Sequence, residues 1–384
     1  MKIPMIRLLD GSSGGGSVAT YLKNGYTYIP GLPAFDSIMK QLSSVPVITA
    51  GLGPVVGLGS AKACCSHFSV VERQIGRLFA AGPPVVAYAT FEEGITQEEL
   101  GGVEVHCRNG TYDNVADSEE ECFEQMKRFL SYMPPHAGQL PPVFECDDPI
   151  TRRDEWLASA IPARRQRTYE IRPVIESVVD KGSFFEIGAL WGRSVVTGLA
   201  RIGGYSVGIL SADCQDGTGG TLESLGCQKI RRFVDLCNVF HIPIVQLIDN
   251  PGFAVGTVAE KAATIRNGVS ATAALYSSDI PMFMIILRRS FGVAAGALMA
   301  CRDLQVRVAW PSGDWGSLPL EGGIEAAYKN ELKEAGDKKD EVRQKLLAQF
   351  DQVRNPICTA AAFAVEEVCF SIYTFLKSKF LSDI

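Results

Sequence analysis

A chain of 384 residues has room for two domains with cores of their own. Its hydrophobic content of 46%, with 38 Gly and 20 Pro, fits a loop-rich α/β protein better than a helical bundle or a disordered chain. A net charge of -6 argues against general nucleic-acid binding, which needs a basic face.

In chain order, Pro4 to Leu9 predicts a short strand entering the loop Asp10-Gly11-Ser12-Ser13-Gly14-Gly15-Gly16. A helix over about Ala34 to Leu42 follows, and then a strand through PVITAGLGPVVGLGSA. Phe68 to Val71 and Pro84 to Ala87 read as further short strands. Glu119 to Tyr132 is an amphipathic helix with Cys122, Met126, Phe129 and Leu130 on one face. Ser118 is its N-cap, and Glu121, three residues on, completes a capping box. Pro134 to Arg167 is a linker rich in Pro, Asp and Arg, with one short helix near Trp156.

The second half opens with a helix over Tyr169 to Lys181 and a strand over Phe184 to Leu190. Strands over Val195 to Arg201 and Ser206 to Ser211 flank a Gly203-Gly204 turn, and a long helix covers about Ser224 to Phe240. The stretch LIDNPGFAVGTVAEKAATIRNG, Leu247 to Gly268, reads as a buried strand, a tight turn exposing amides, and a helix start. The pattern repeats as a helix over Val258 to Ser277, a strand over Met282 to Leu287, a Gly/Ala loop, a helix and a strand over Val306 to Trp310. Strands alternating with helices indicate a parallel, layered α/β protein, and the two halves look like a duplication.

Eleven Cys, with no CxxC pair, support neither a zinc ribbon nor a disulfide scaffold, and most are expected as buried thiols. The four His show no metal-binding spacing. No uninterrupted apolar run reaches transmembrane length, and the first residues resemble an internal strand rather than a signal peptide. Arg164 to Arg167, Arg231-Arg232 and Arg288-Arg289 are candidate anion contacts, each more simply explained by solvation or salt bridges.

Three Gly-rich turns stand out: Ser13 to Gly16, Gly53 to Ser60, and Phe291 to Ala297. None has the spacing of a P-loop or of a dinucleotide-binding turn. Amides exposed beside a helix N-terminus suit an oxyanion or a phosphate, so backbone rather than a catalytic side chain is the expected chemical agent.

An ordered series of motifs then resembles the carboxyltransferase component of biotin-dependent acyl-CoA carboxylases, of the propionyl-, methylcrotonyl- and acetyl-CoA type. It comprises Tyr169-Glu170-Ile171-Arg172, Phe184 to Ile187, Gly198 to Gly204, Lys229 to Val234, Pro251 to Gly256, Trp310-Pro311 and Asn355-Pro356. In the first half Gly82 to Val86, and Thr96 to Gly102 with His106, fit the same family.

The resemblance implies an α/β fold of two crotonase-like domains built from repeated ββα units. Residues 1–150 would form a shortened N-terminal, acyl-CoA-side domain, and residues 165–384 the biotin-side domain. It also implies transfer of a carboxyl group from carboxybiotin, held on a carrier protein, to the α or vinylogous γ carbon of an acyl-CoA through enolates. By position, the amides of Gly57, Leu58 or Gly59 would hold the thioester enolate and those of Val293 and Ala294 the biotin ureido oxygen. Gly14 and Gly15 would line the acyl-CoA pocket. Pro251, Gly252, Phe253 and Gly256 would shape the facing wall, with Gly292 and Gly296 beside the biotin turn. Gly296 stands where propionyl-type members carry an acid. His106 and Glu98 read as structural, and no metal is implied.

Implied partners are the acyl-CoA, a biotin carboxyl carrier or biotin carboxylase subunit, and further copies of the chain in an oligomer built on dimers, with neither nucleic acid nor a membrane span. The implied location is the cytoplasm, or the mitochondrial matrix if the true N-terminus is missing. Alternative readings are an acyl-CoA decarboxylase subunit of the same superfamily and an inactive assembly subunit.

Overall fold

The computed structural model describes residues 2–11, 15–29, 31–32, 34–149, 151–164, 166–298 and 305–369. The chain divides into two compact units. The first comprises Met1–Pro142, Phe185–Gly192 and Val239–Ile242; the second comprises Val143–Phe184, Arg193–Asn238 and Pro243–Ile384.

The first unit carries β1 (Met5–Gly11), β2 (Val47–Val56), β3 (Phe68–Glu72), β4 (Arg77–Phe79), β5 (Asn114–Ala116) and β6 (Phe185–Ile187). The first four pairings are all parallel, in the order β1-β2-β3-β5, with β4 beside the C-terminal end of β2. Its helices are α1 (Gly15–Asn24), α2 (Phe35–Gln41), α3 (Leu58–Cys64), α4 (Pro83–Thr90), α5 (Gln97–Gly101), α6 (Val103–His106) and α7 (Glu119–Ser131). Strand β2 is a nearly continuous run of apolar and small residues, as a strand covered on both faces requires. Its glycines serve close packing: an added Cβ at Gly51 would strike the Tyr112 hydroxyl, and one at Gly53 the Asp10 carboxylate.

Helix α7 buries Cys122, Met126 and Phe129, while Leu130 is only half-buried. Phe129 stacks on Phe68 of β3 with centroids 5.0 Å apart. Ser118 caps α7 by accepting from Glu121 N, but the Glu121 carboxylate reaches back to Asp117 N, so the expected box is displaced by one residue. A full box forms instead at Thr96 and Glu99, at the start of α5.

Pro84 to Ala87 is not a strand but part of α4. Gly82 caps this helix and prolines occupy its first turn, where an absent N–H costs nothing. The expected strand through Ala61 ends at Val56, because Gly57 turns the chain into α3.

In the second unit α8 (Leu157–Ala160) and α9 (Arg172–Val178) precede β7 (Val195–Ile202) and β8 (Tyr205–Ala212). Then come α10 (Ser224–Val239), β9 (Ile244–Asn250), α11 (Thr257–Lys261), α12 (Thr264–Ser277), β10 (Met282–Phe291) and α13 (Gly292–Leu298). The rest is β11 (Gln305–Ala309), β12 (Asp314–Gly316), α14 (Leu320–Ala327), α15 (Lys329–Glu334), α16 (Lys339–Asp351), α17 (Pro356–Ala361) and β13 (Glu367–Val368). The sheet runs β13-β11-β10-β9-β8-β7, with β12 against the end of β10.

Only the β7–β8 pair is antiparallel among these. Its turn uses Gly203 and Gly204 at φ 59° and 85°, and both amides donate to the Asp180 carboxylate at 2.8 Å. Val196, Ile209, Val245, Leu247, Phe283, Ile285 and Trp310 form the core.

Several boundaries differ from expectation. The helix expected over Val258 to Ser277 is two helices, broken where Ala263 adopts φ 56°. The helix expected from Tyr169 starts at Arg172, with Pro173 in its first turn. The strand expected to Leu190 stops at Ile187, before Gly188 at φ 74°. Strand β10 runs four residues past Leu287.

Candidate functional site

In each unit a parallel strand ends in a glycine of positive φ that starts a short helix. In the first, β2 leads to Gly57 at φ 60°, ψ -116°, a conformation open in practice only to glycine. Gly57 donates its own N–H to Phe79 O at 3.1 Å, across the β2–β4 end. The buried Ser60 hydroxyl lies 2.6 Å from the same carbonyl and 3.0 Å from Val55 O, which locks the turn. Of the three residues expected at an oxyanion turn, Gly57 therefore has its amide committed. Leu58 and Gly59 occupy the first turn of α3, where an α-helix offers no internal acceptor. The missing side chain at Gly59 is a packing requirement, since a Cβ there would lie 2.9 Å from Val55 Cγ1.

In the second unit β10 leads to Gly292 at φ 68° and α13. Val293, 78% exposed, and the buried Ala294 supply first-turn amides. A Cβ at Gly292 would meet Ser317 O at 3.5 Å, and one at Gly296 would meet nothing within 4 Å. Open space therefore lies beside Gly296, while Gly292 is in contact range of Ser317.

The Pro251-Gly252-Phe253 turn is less open than its sequence implies. Proline has no N–H, Gly252 donates to Asn250 Oδ1 at 2.8 Å, and Ala254 donates to Leu222 O at 3.0 Å. Two of the amides expected to be exposed are thus committed, one within the turn and one to Leu222. The Phe253 ring lies against Gly268 of α12, where an added Cβ would be 2.5 Å from Cε1. Gly256, at φ 99°, then starts α11. Gly15 begins α1, while Gly14 lies outside the described residues.

Asp249, at the end of β9, is 1% exposed and is gripped by two guanidiniums. Arg288 Nη2 donates to Oδ2 at 2.7 Å, and Arg289 Nε to Oδ1 at 2.7 Å. Burial pushes this carboxyl up, but hydrogen bonds from Arg289 and Arg288 and their charges outweigh burial and hold it below the usual carboxylate range. Arg288-Arg289 is thus a salt-bridged pair rather than a free anion contact. The signal was present in the sequence, since a carboxylate near the end of a buried, mostly apolar strand needs a cation or hydrogen-bond donors.

His106 Nε2 lies 2.7 Å from Leu78 O, and Arg77 pairs with Glu98 at 2.5 Å, both bracing the segment beside the Gly57 turn. Among the described residues no group of three or more His, Cys, Asp and Glu is placed to hold a metal, and no helix is long and apolar enough to cross a membrane.

Strands ending in amide-presenting turns, repeated in two α/β units, define a class of fold that solved structures share. The chain is similar to transcarboxylase 12S, a hexamer assembly with methylmalonyl-coenzyme A and methylmalonic acid bound. The TM-score is 0.89 at 28% identity, covering 100% of this chain and 72% of that one. It is also similar to a single-chain, multi-domain long-chain acyl-CoA carboxylase, with TM-score 0.79 at 25% identity over 97% of this chain and 36% of that one. The fold is the crotonase-like α/β arrangement of carboxyltransferases. Residues 6–375 match the Carboxyl transferase domain family, and the chain belongs to it.

Among curated proteins, a propionyl-CoA carboxylase carboxyltransferase subunit of Haloferax mediterranei is 32% identical over 349 residues, 88% of this chain and 67% of that one. A biotin-dependent acetyl-/propionyl-coenzyme A carboxylase beta5 subunit of Mycobacterium tuberculosis is 31% identical, over 84% of this chain and 61% of that one. Methylmalonyl-CoA decarboxylase subunit alpha of Propionigenium modestum is 28% identical, over 84% of this chain and 63% of that one. The chain therefore spans 61% to 67% of the length of these relatives.

Proposed function

We propose that the chain is the carboxyltransferase component of a biotin-dependent acyl-CoA carboxylase, moving a carboxyl group to the α or vinylogous γ carbon of an acyl-CoA. The observation that carries this is the repeated strand, positive-φ glycine and helix start at Gly57 and Gly292, inside a chain that matches the family from residue 6 to 375.

At the first turn the Leu58 and Gly59 amides donate to the thioester oxygen. That oxygen gains negative charge as the α-proton leaves, so fixed donors stabilise the charged state more than the ground state. At the second, the Val293 and Ala294 amides hold the ureido oxygen of biotin. The residues fit that group: the donors are neutral N–H groups suited to a neutral carbonyl oxygen, and the space beside Gly296 is open. Bound carboxybiotin supplies the carboxyl group and the base. Gly15, at the start of α1, lines the acyl-CoA pocket of the first unit, and Pro251, Gly252, Phe253 and Gly256 wall the biotin side. The partners are a biotin carrier subunit and further copies of the chain in an oligomer built on dimers. The setting is the cytoplasm, or the mitochondrial matrix.

A decarboxylase subunit is the second reading, favoured by the 28% identity to the Propionigenium modestum subunit. Decarboxylation of malonyl-type CoA thioesters with free biotin, scanned across acyl chain lengths, tests the shared chemistry, and carboxylation with a carboxybiotin donor separates the two readings. No turnover with any thioester, alongside no CoA binding, would leave the inactive assembly subunit standing and sink both enzyme readings.

A further inference from the structure

The pairing of β9 with β10 is regular from Met282↔Ile244 to Ile286↔Ile248 and resumes only at Ser290↔Asn250. Between those points Leu287, Arg288 and Arg289 lie opposite a single residue, Asp249. Such an offset leaves backbone donors without a ladder partner, and it bends and re-aims the strand that carries it. Here the Asp249 side chain takes over. Its Oδ1 accepts from the Arg289 backbone N–H at 3.0 Å and from Arg289 Nε at 2.7 Å, while Oδ2 accepts from Arg288 Nη2 at 2.7 Å and Arg289 Nη2 at 3.1 Å.

Each arginine carries the clamp further. Arg288 Nη1 donates to Arg167 O at 2.7 Å, and its guanidinium stacks 4.8 Å over the Tyr169 ring. Arg289 Nη2 donates to Gly219 O at 2.8 Å, in the loop after β8. The same loop is tied to the Pro251 turn by Asn250 Nδ2 to Gly220 O at 3.4 Å and Leu222 N to Gly252 O at 2.9 Å. One buried carboxylate thereby links the ends of three successive strands, and the arginine it holds most closely, Arg289, stands three residues ahead of Gly292.

We propose that Asp249, gripped by Arg288 and Arg289, is a positioning residue: its carboxylate replaces the missing β9–β10 ladder bond and sets the strand offset that aims the first-turn amides of α13. This rests on the reading that those amides hold the oxygen of the carboxyl donor. Asp249 touches no substrate and acts only through the direction in which β10 delivers Gly292, Val293 and Ala294. Both arginines are needed: Arg288 donates to both carboxylate oxygens through its side chain, and Arg289 binds the carboxylate with backbone and side chain together.

The test is amide hydrogen exchange on the full-length chain, read by peptide, with steady-state kinetics alongside. Arg289→Lys keeps the charge but loses the fork that spans both carboxylate oxygens and Gly219 O. It is expected to speed exchange over residues 287–296 by about tenfold or more, with residues 244–248 and 282–286 as protected as in the parent. kcat is expected to fall at least tenfold, with KM for the acyl-CoA within about twofold. Asp249→Asn is expected to do the same more strongly; should it fail to fold, Arg289→Lys decides. Unchanged exchange over 287–296 in folded Arg289→Lys would overturn the proposal, as would acceleration spread evenly over the unit. Local acceleration supports the proposal even if the parent shows no turnover, which separates its failure from failure of the proposed function.

Discussion

The His106 ring donates from Nε2 to Leu78 O over 2.7 Å, and burial lowers its pKa below the usual 6.5. The unfolded chain therefore takes up a proton that the folded chain refuses as pH drops through that value. The stability tied to the neutral ring is complete above pH 6.5 and is lost as pH falls through the folded pKa. A denaturation midpoint that declines between pH 7.5 and 5.5, with a shallower decline in His106→Gln, is the expected result of a midpoint titration. The cysteines separate the same way. Burial pushes Cys107, Cys122 and Cys227 up to about 12, so they stay protonated and shielded, whereas Cys64 and Cys358 are exposed. Iodoacetamide on the native protein, read by mass spectrometry, should modify Cys64 and Cys358 at least tenfold faster than those three. Buried thiols were legible from the scattered, unpaired Cys pattern. Which of the described cysteines face solvent was not, because exposure depends on what packs over each residue.

At the scale of elements, the two glycine turns make a sharper test than whole-turn deletion. Proline at Gly57 would violate φ 60° and break the bond to Phe79, so loss of activity there would say little. Proline is well tolerated at the first helical position, and Leu58→Pro removes little but the proposed donor. Val293→Pro does the same in the first turn of α13, at an exposed side chain. Each is expected to lower kcat by about 10²–10³ while far-UV circular dichroism stays unchanged, the usual cost of one lost oxyanion donor. Full activity in either folded variant would remove that turn from the mechanism. The order of glycines marked both turns in the sequence. Which amides remain available was decided by partners distant in sequence, Phe79 for Gly57 and Leu222 for Ala254. The Pro84 to Ala87 segment failed as a strand for a local reason, its capping glycine and two leading prolines.

At the scale of the molecule, α12 presents Ile265, Val269 and Tyr276 at 61%, 59% and 44% exposure, in one stripe beside the exposed Val258 of α11. In the proposed oligomer, a stripe of this kind is expected at the contact between copies. Val269→Glu is therefore expected to shift the oligomer toward smaller species in sedimentation velocity and to lower activity, with the secondary structure intact. An unchanged oligomer would place the interface elsewhere. The sequence alone determined the layered α/β class and the glycine-bearing turns, because these rest on local chemistry (apolar runs, glycine positions and helix starts), while its ordered motifs resembled the family. Only the tertiary structure decided that the Ala254 amide goes to Leu222, that Gly57 gives its own to Phe79, and that Asp249 replaces a missing ladder bond. Those outcomes depend on donors and acceptors brought together from strands tens of residues apart, and no local pattern records which one reaches the other first.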